Sequence, residues 1–154
     1  VLAAAGQAAT ARPEICVVPT ASVPQGIAAL LAHDPAASVE ANRDRMLAAA
    51  REVLSAELVP AARAASIGGV DVQHGEMMVL VDGELLGTGD QGLALLLDRA
   101  AQRNVELATV YYGGDACQAD AEMLRDQLLA CLPELQVDVI RGDQPQARFI
   151  LSFE

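Results

Sequence analysis

Leu107-Ala108-Thr109-Val110-Tyr111-Tyr112, then Gln118 to Leu132, then Val137-Asp138-Val139-Ile140 decide the fold, because they read in turn as strand, helix and strand. The first and last are short, β-branched runs. Between them Ala121, Leu124, Leu128 and Cys131 recur at helical spacing, and Pro133 stops the helix. Working outward, Phe149-Ile150-Leu151-Ser152-Phe153 adds a strand. Asp90 to Arg103 forms a helix with Leu93, Leu96, Leu97 and Ala100 facing inwards. Met77-Met78-Val79-Leu80-Val81, Asp82-Gly83 and Glu84-Leu85-Leu86 spell a hairpin, since Asp-Gly suits a type I′ turn whose two central residues need positive φ. Residues 57–66 read as a strand that Pro60 pushes towards a sheet edge, and Gly68-Gly69 breaks the run.

Nearer the start, Glu14-Ile15-Cys16-Val17-Val18-Pro19-Thr20 reads as a buried strand containing Cys16. Ser22 and Pro24 open a short helix with Ile27, Leu30 and Leu31 on its inner face, and Asp34-Pro35 opens a longer one striped by Val39, Met46, Leu47, Ala50, Val53 and Leu54. The expectation is one α/β domain over 1–154, a mixed β-sheet flanked by helices.

The chain has 154 residues and a formal net charge of −11, from ten arginines and no lysine against 21 acidic side chains. Nucleic acid is excluded as a partner, because phosphate binding needs clustered cations and these arginines are scattered. Thirty alanines and only four aromatic residues call for an aliphatic core with closely packed helices. No apolar run approaches the roughly 20 residues of a membrane span. Cys16, Cys117 and Cys131 form no CxxC pair, which points to reduced thiols and a cytoplasmic setting.

Gly87-Thr88-Gly89-Asp90-Gln91-Gly92 matches the phosphate-cradling G-x-G-x-x-G pattern but follows a hairpin arm, and Asp90 would repel phosphate. The better account is a flexible turn with Asp90 as N-cap. His33 and His74 fall in separate loops with no converging ligands, so no metal site is expected. No serine or cysteine has the setting of a nucleophile, and Asp115 and Asp120 read as helix-capping acids. Arg141-Gly142-Asp143 is a coincidental adhesion tripeptide. The candidate functional edge is the set of loops after three strands: Thr20 to Gly26, Gly113 to Cys117 and Gly142 to Pro145. Parallel strands would bring such loops to one side of the sheet.

Val17-Val18-Pro19-Thr20 followed by Pro24-Gln25-Gly26-Ile27-Ala28-Ala29 resembles the C-terminal region of the FakA-type fatty acid kinase proteins, the dihydroxyacetone-kinase-related, YloV-type family. Asp34-Pro35-Ala36-Ala37-Ser38, Tyr112-Gly113-Gly114-Asp115, Gly142-Asp143-Gln144-Pro145 and Phe149 to Glu154 extend the resemblance from Glu14 onward. It implies a DegV-like fold and a C-terminal piece of a longer kinase subunit, with 1–13 the tail of an upstream helix. It further implies that the chain docks a separate DegV-type fatty-acid-binding protein, while ATP and magnesium belong to a kinase domain elsewhere in the same polypeptide. On that basis the expected partner-binding residues are Thr20, Gln25, Gly26, Gly113, Asp115, Gly142, Gln144 and Pro145, and no residue here carries a catalytic role. The alternative is a DegV-like module that holds a fatty acid itself. A small enzyme using Gly87 to Gly92 for a nucleotide is a weaker third reading. The resemblance has one departure: Asp143 stands where the family pattern has a second glycine, so a position suited to positive φ carries a side chain.

Overall fold

A computed structural model describes residues 6, 7, 10, 12 and 15–154. The helix tail expected over 1–13 and the start of the expected strand at Glu14 fall largely outside these described residues. The chain divides into two compact units, 1–53 and 54–154.

The first unit is built on two packed helices, α1 (Val23–Leu31) and α2 (Val39–Glu52). Ser22 caps α1, its hydroxyl accepting from the Gln25 amide at 3.3 Å, and Pro24 occupies the first turn, where its missing N–H is not needed. Ser38 caps α2 in the same way through Ala41 at 3.2 Å, with Glu40 and Arg51 placed to complement the helix dipole. Asp34-Pro35 therefore does not start α2. Asp34 instead accepts from the Ala36 amide at 2.9 Å, and buried Asn42 clamps the turn by bonding both the N–H and the C=O of Asp34 at 2.8 and 2.7 Å.

Two expectations fail in this unit. Residues 15–20 are not a strand and Cys16 is exposed. A short apolar run closed by a non-donating proline cannot be told from an extended loop by pattern alone, and no described strand pairs with it. Ile27, Leu30 and Leu31 do not face inwards either; Pro24 and Ala29 are the buried residues of α1.

The second unit is a six-stranded mixed sheet of β1 (Leu54–Pro60), β4 (Met77–Val81), β5 (Glu84–Thr88), β6 (Leu107–Tyr112), β7 (Gln136–Arg141) and β8 (Phe149–Phe153), in the spatial order β5-β4-β1-β8-β6-β7. Every pairing is antiparallel except β6 with β7. The Asp82-Gly83 turn has φ of 53° and 83°, as a type I′ hairpin requires. Residues 57–66 are not one strand. β1 ends at Pro60, and a separate small hairpin, β2 (Ala65–Ile67) and β3 (Val70–Val72), turns on Gly68-Gly69. Nor is β1 an edge: it lies between β4 and β8. Pro60 is tolerated because the β8 ladder stops at the Leu58–Phe149 pair, two residues before it.

Helices α3 (Gly89–Gln102) and α4 (Gln118–Cys131) cover one face, α3 against β4 and β5, α4 against β6 and β7. Strand alternation sends Leu54, Ala56, Leu58, Val110, Leu151 and Phe153 into that core, where they meet Leu96, Leu97, Ala100, Ala121, Leu124 and Leu128. The opposite alternation aligns Ser55, Ser152 and Thr109 across three neighbouring strands, all buried. Ser152 donates to Glu154 at 3.0 Å, whereas the Ser55 hydroxyl has no partner among the described residues. Among the described residues no helix is long and apolar enough to cross a membrane.

Candidate docking edge at the strand ends

Because β6 and β7 are parallel, their carboxyl ends lie side by side, and the loops that leave them are tied together. Gly113 N–H donates to the Arg148 carbonyl at 2.9 Å and Gly114 N–H to the Gln144 carbonyl at 3.2 Å. Gly142 and Asp143 both donate to the Tyr112 carbonyl, at 3.0 and 3.3 Å, and the Gln144 side-chain amide donates to the Tyr111 carbonyl at 3.0 Å. Gly113 is required here: a Cβ would stand 2.5 Å from the Ala147 carbonyl oxygen, 2.7 Å from that of Gln144 and 3.3 Å from Asp115 Oδ1. Asp143 does adopt the left-handed conformation, at φ 53°, and its carboxylate pairs with Arg141 Nε at 2.8 Å.

The structure thus gathers Gly113, Asp115, Gly142 and Gln144 into one knot, with Pro145 exposed on the next turn of chain. Thr20, Gln25 and Gly26 form their own cluster in the first unit. Gln25 Oε1 accepts from the Ala21 amide at 2.9 Å, and a Cβ on Gly26 would meet Thr20 Oγ1 at an ordinary 3.6 Å.

The strand directions also bring the end of β5 and the start of α3 to the edge occupied by the β6 and β7 loops, and α4 begins there after Cys117. Between these elements opens a cleft of about 260 Å³, its apolar lining including Leu58, Met77, Leu93 and Phe149. Three charged groups border it: Asp90, Asp120 and Arg148. Asp120 reaches back to the Cys117 amide at 3.0 Å as a helix-capping acid and also accepts from Arg148 Nη2 at 3.1 Å. The Cys117 hydrogen bond, assisted by the Arg148 charge, holds its carboxyl below the usual aspartate value. Arg148 in turn lies 5.8 Å from the Phe149 ring centroid, within cation–π range. Sequence reading recovered the cap but missed Arg148, a single cation between Ala147 and Phe149 whose partner is 28 residues away.

The glycine motif serves packing. Gly87 lies inside β5, Thr88 is the N-cap of α3, and Asp90 sits in the first turn, so neither the flexible turn nor the aspartate cap is found. A Cβ on Gly92 would stand 2.7 Å from the Gly87 carbonyl carbon, so strand and helix backbones touch where both residues lack side chains. His33 and His74 belong to different units, so they do not converge. Among the described residues no three His, Cys, Asp or Glu side chains gather as a metal ion would need.

The family model FakA-like, which describes the C-terminal region of fatty acid kinase A-type subunits and their relatives, matches residues 1–154. Protein YloV of Bacillus subtilis strain 168 is 35% identical over 158 residues, covering all of this chain and 29% of its own length. An uncharacterised protein of Staphylococcus haemolyticus is 32% identical over 152 residues, covering 96% of this chain and 28% of its own length. An uncharacterised protein of Staphylococcus aureus strain USA300 is 32% identical over 158 residues, with 100% and 29% covered. The chain spans less than a third of the length of these relatives, and it belongs to the FakA-like C-terminal family of fatty acid kinase proteins.

Proposed function

We propose that this chain is the C-terminal domain of a fatty acid kinase protein and that it docks a DegV-type fatty-acid-binding protein. The observation that carries this reading is the family match across the whole chain. The partner presents its acyl carboxylate to a separate kinase domain, which holds ATP and magnesium and forms the acyl phosphate. The role of this chain is proximity. Fixing the carrier beside the nucleotide removes much of the orientation cost of phosphoryl transfer without any catalytic group here. In this reading the kinase works in the cytoplasm, and the dock is the strand-end edge with its open apolar cleft.

The rival reading, a module that holds the fatty acid itself, draws less support from that cleft. Its one arginine is already committed to Asp120, and two carboxylates border it, which disfavours an anionic head. Titration calorimetry of this chain against a fatty-acid-loaded DegV-type protein tests the docking reading. Saturable binding weakened by substitution of Met123, an exposed lining residue, is expected; no heat from a folded chain would overturn docking by this region. Acyl chains co-purifying with this protein, found by mass spectrometry after denaturation, would favour the rival.

A further inference from the structure

The first unit contains a concavity of about 420 Å³ lined by its own residues, within the usual size range of small-molecule sites. Val39 and Met46 supply apolar wall, and Cys16, His33, Asn42 and Arg43 supply the polar groups. In a chain of net charge −11, none of its described lining residues is a carboxylate. The neighbouring acid, Asp34, is engaged with Arg45 at 3.2 Å and with the Ala36 amide at 2.9 Å. Asn42 is spent on the Asp34 turn and so fixes that wall. Arg43 makes no ion pair, and the His33 ring makes no hydrogen bond, among the described residues.

These features combine towards one class of ligand. A guanidinium that no described carboxylate engages offers paired donors to an oxyanion. The first turn of α2, which supplies Val39, favours negative charge through its dipole. The apolar wall attracts hydrocarbon. The cleft of the second unit differs on each count, since it holds two aspartates and its arginine is paired.

We propose that this pocket binds a small amphiphilic anion, a short hydrocarbon body against Val39 and Met46 bearing a carboxylate or phosphate head held by Arg43 with His33 beside it. The proposal does not rest on the docking reading, and calorimetry with the DegV-type protein leaves it untouched. The test uses the whole 154-residue chain with octanoate, octyl phosphate and octanol as probes, followed by amide NMR and by iodoacetamide alkylation. Saturable shifts confined to residues around 33–46 are expected with an anion, with octanol at least tenfold weaker; whichever anion binds tighter identifies the head. The same anion should slow alkylation of Cys16 while leaving Cys117 and Cys131, both exposed in the other unit, unprotected. Arg43→Gln, at an exposed site, should weaken binding about tenfold or more, the scale of a lost charge-assisted hydrogen bond. Equal affinity for octanol, unchanged affinity in Arg43→Gln, or no saturable shift with either anion would overturn the proposal.

Discussion

Helices α1 and α3 carry apolar stripes of similar regularity, yet they end in opposite environments. In α3 the stripe is core: Leu96, Leu97 and Ala100 are buried against β4 and β5. In α1 the residues of the stripe, Val23, Ile27, Leu30 and Leu31, are exposed, Leu31 at 81%. Periodicity identifies an amphipathic face, and only tertiary structure decides what covers it. α3 is delivered to its sheet by a hairpin and a close glycine crossing, so its face has a defined partner. α1 packs on α2, and it is the small residue Ala29 and Pro24 that are buried, which leaves its larger side chains outward.

The sharpest way to break the comparison is paired truncation. Leu96→Ala should cost about 2–5 kcal/mol through the cavity it leaves, whereas Leu30→Ala should change stability by no more than about 0.5 kcal/mol. Chemical denaturation of both variants measures this, and similar losses would mean that α1 is as well covered as α3. Next in size, Gly113→Ala should cost about 1–3 kcal/mol, because its methyl group meets two backbone carbonyls, while Gly26→Ala, with ordinary space, should be tolerated. That pair compares the loop clusters of the two units directly. Ser55→Ala should raise stability by up to about 1 kcal/mol, since it removes a buried hydroxyl that has no partner among the described residues; a loss instead would reveal a hydrogen bond there.

The smallest expected effect concerns pH. Asp120 is held below its ordinary 3.8 and Glu76 below 4.5, the first chiefly by the Cys117 amide and the second chiefly by the Gln73 amide. Both carboxylates favour the folded state when ionised, so their contribution is complete above those ordinary values and is lost as pH falls through the lower folded ones. Asp120→Asn should therefore flatten the acid limb of a stability profile below about pH 4 while barely altering it at pH 7 relative to its own maximum. An unchanged acid limb would mean that the cap contributes nothing to folding.

The second unit is largely legible in the sequence because its signals are local. The Asp82-Gly83 hairpin, strands 107–112 and 149–153 and helix α4 are each marked by a turn residue or a strict period within a few positions. The first unit is less so. Val17-Val18 looks like a strand core but has no ladder partner among the described residues, and the start of α2 depends on Asn42 seizing the Asp34 backbone eight residues away. At the candidate edge, Gly113, Gly142 and Gln144 stand out because glycine clusters follow strands. Arg148 does not, because its meaning lies in an ion pair across the sheet end. Arg43 is equally silent, one cation among ten until the cavity gives it surroundings.

The position of β8 has a consequence for how the protein is made. It follows every other described strand in the chain yet sits between β1 and β6, so β5-β4-β1 on one side and β6-β7 on the other meet only through it. While the ribosome is still working, the sheet exists as two half-sheets, each presenting an open inner margin to other chains. Closure waits for Phe149–Phe153, a late insertion that must find two long-range partners at once. Chaperone demand should accordingly peak in that interval and vanish once this strand leaves the exit tunnel.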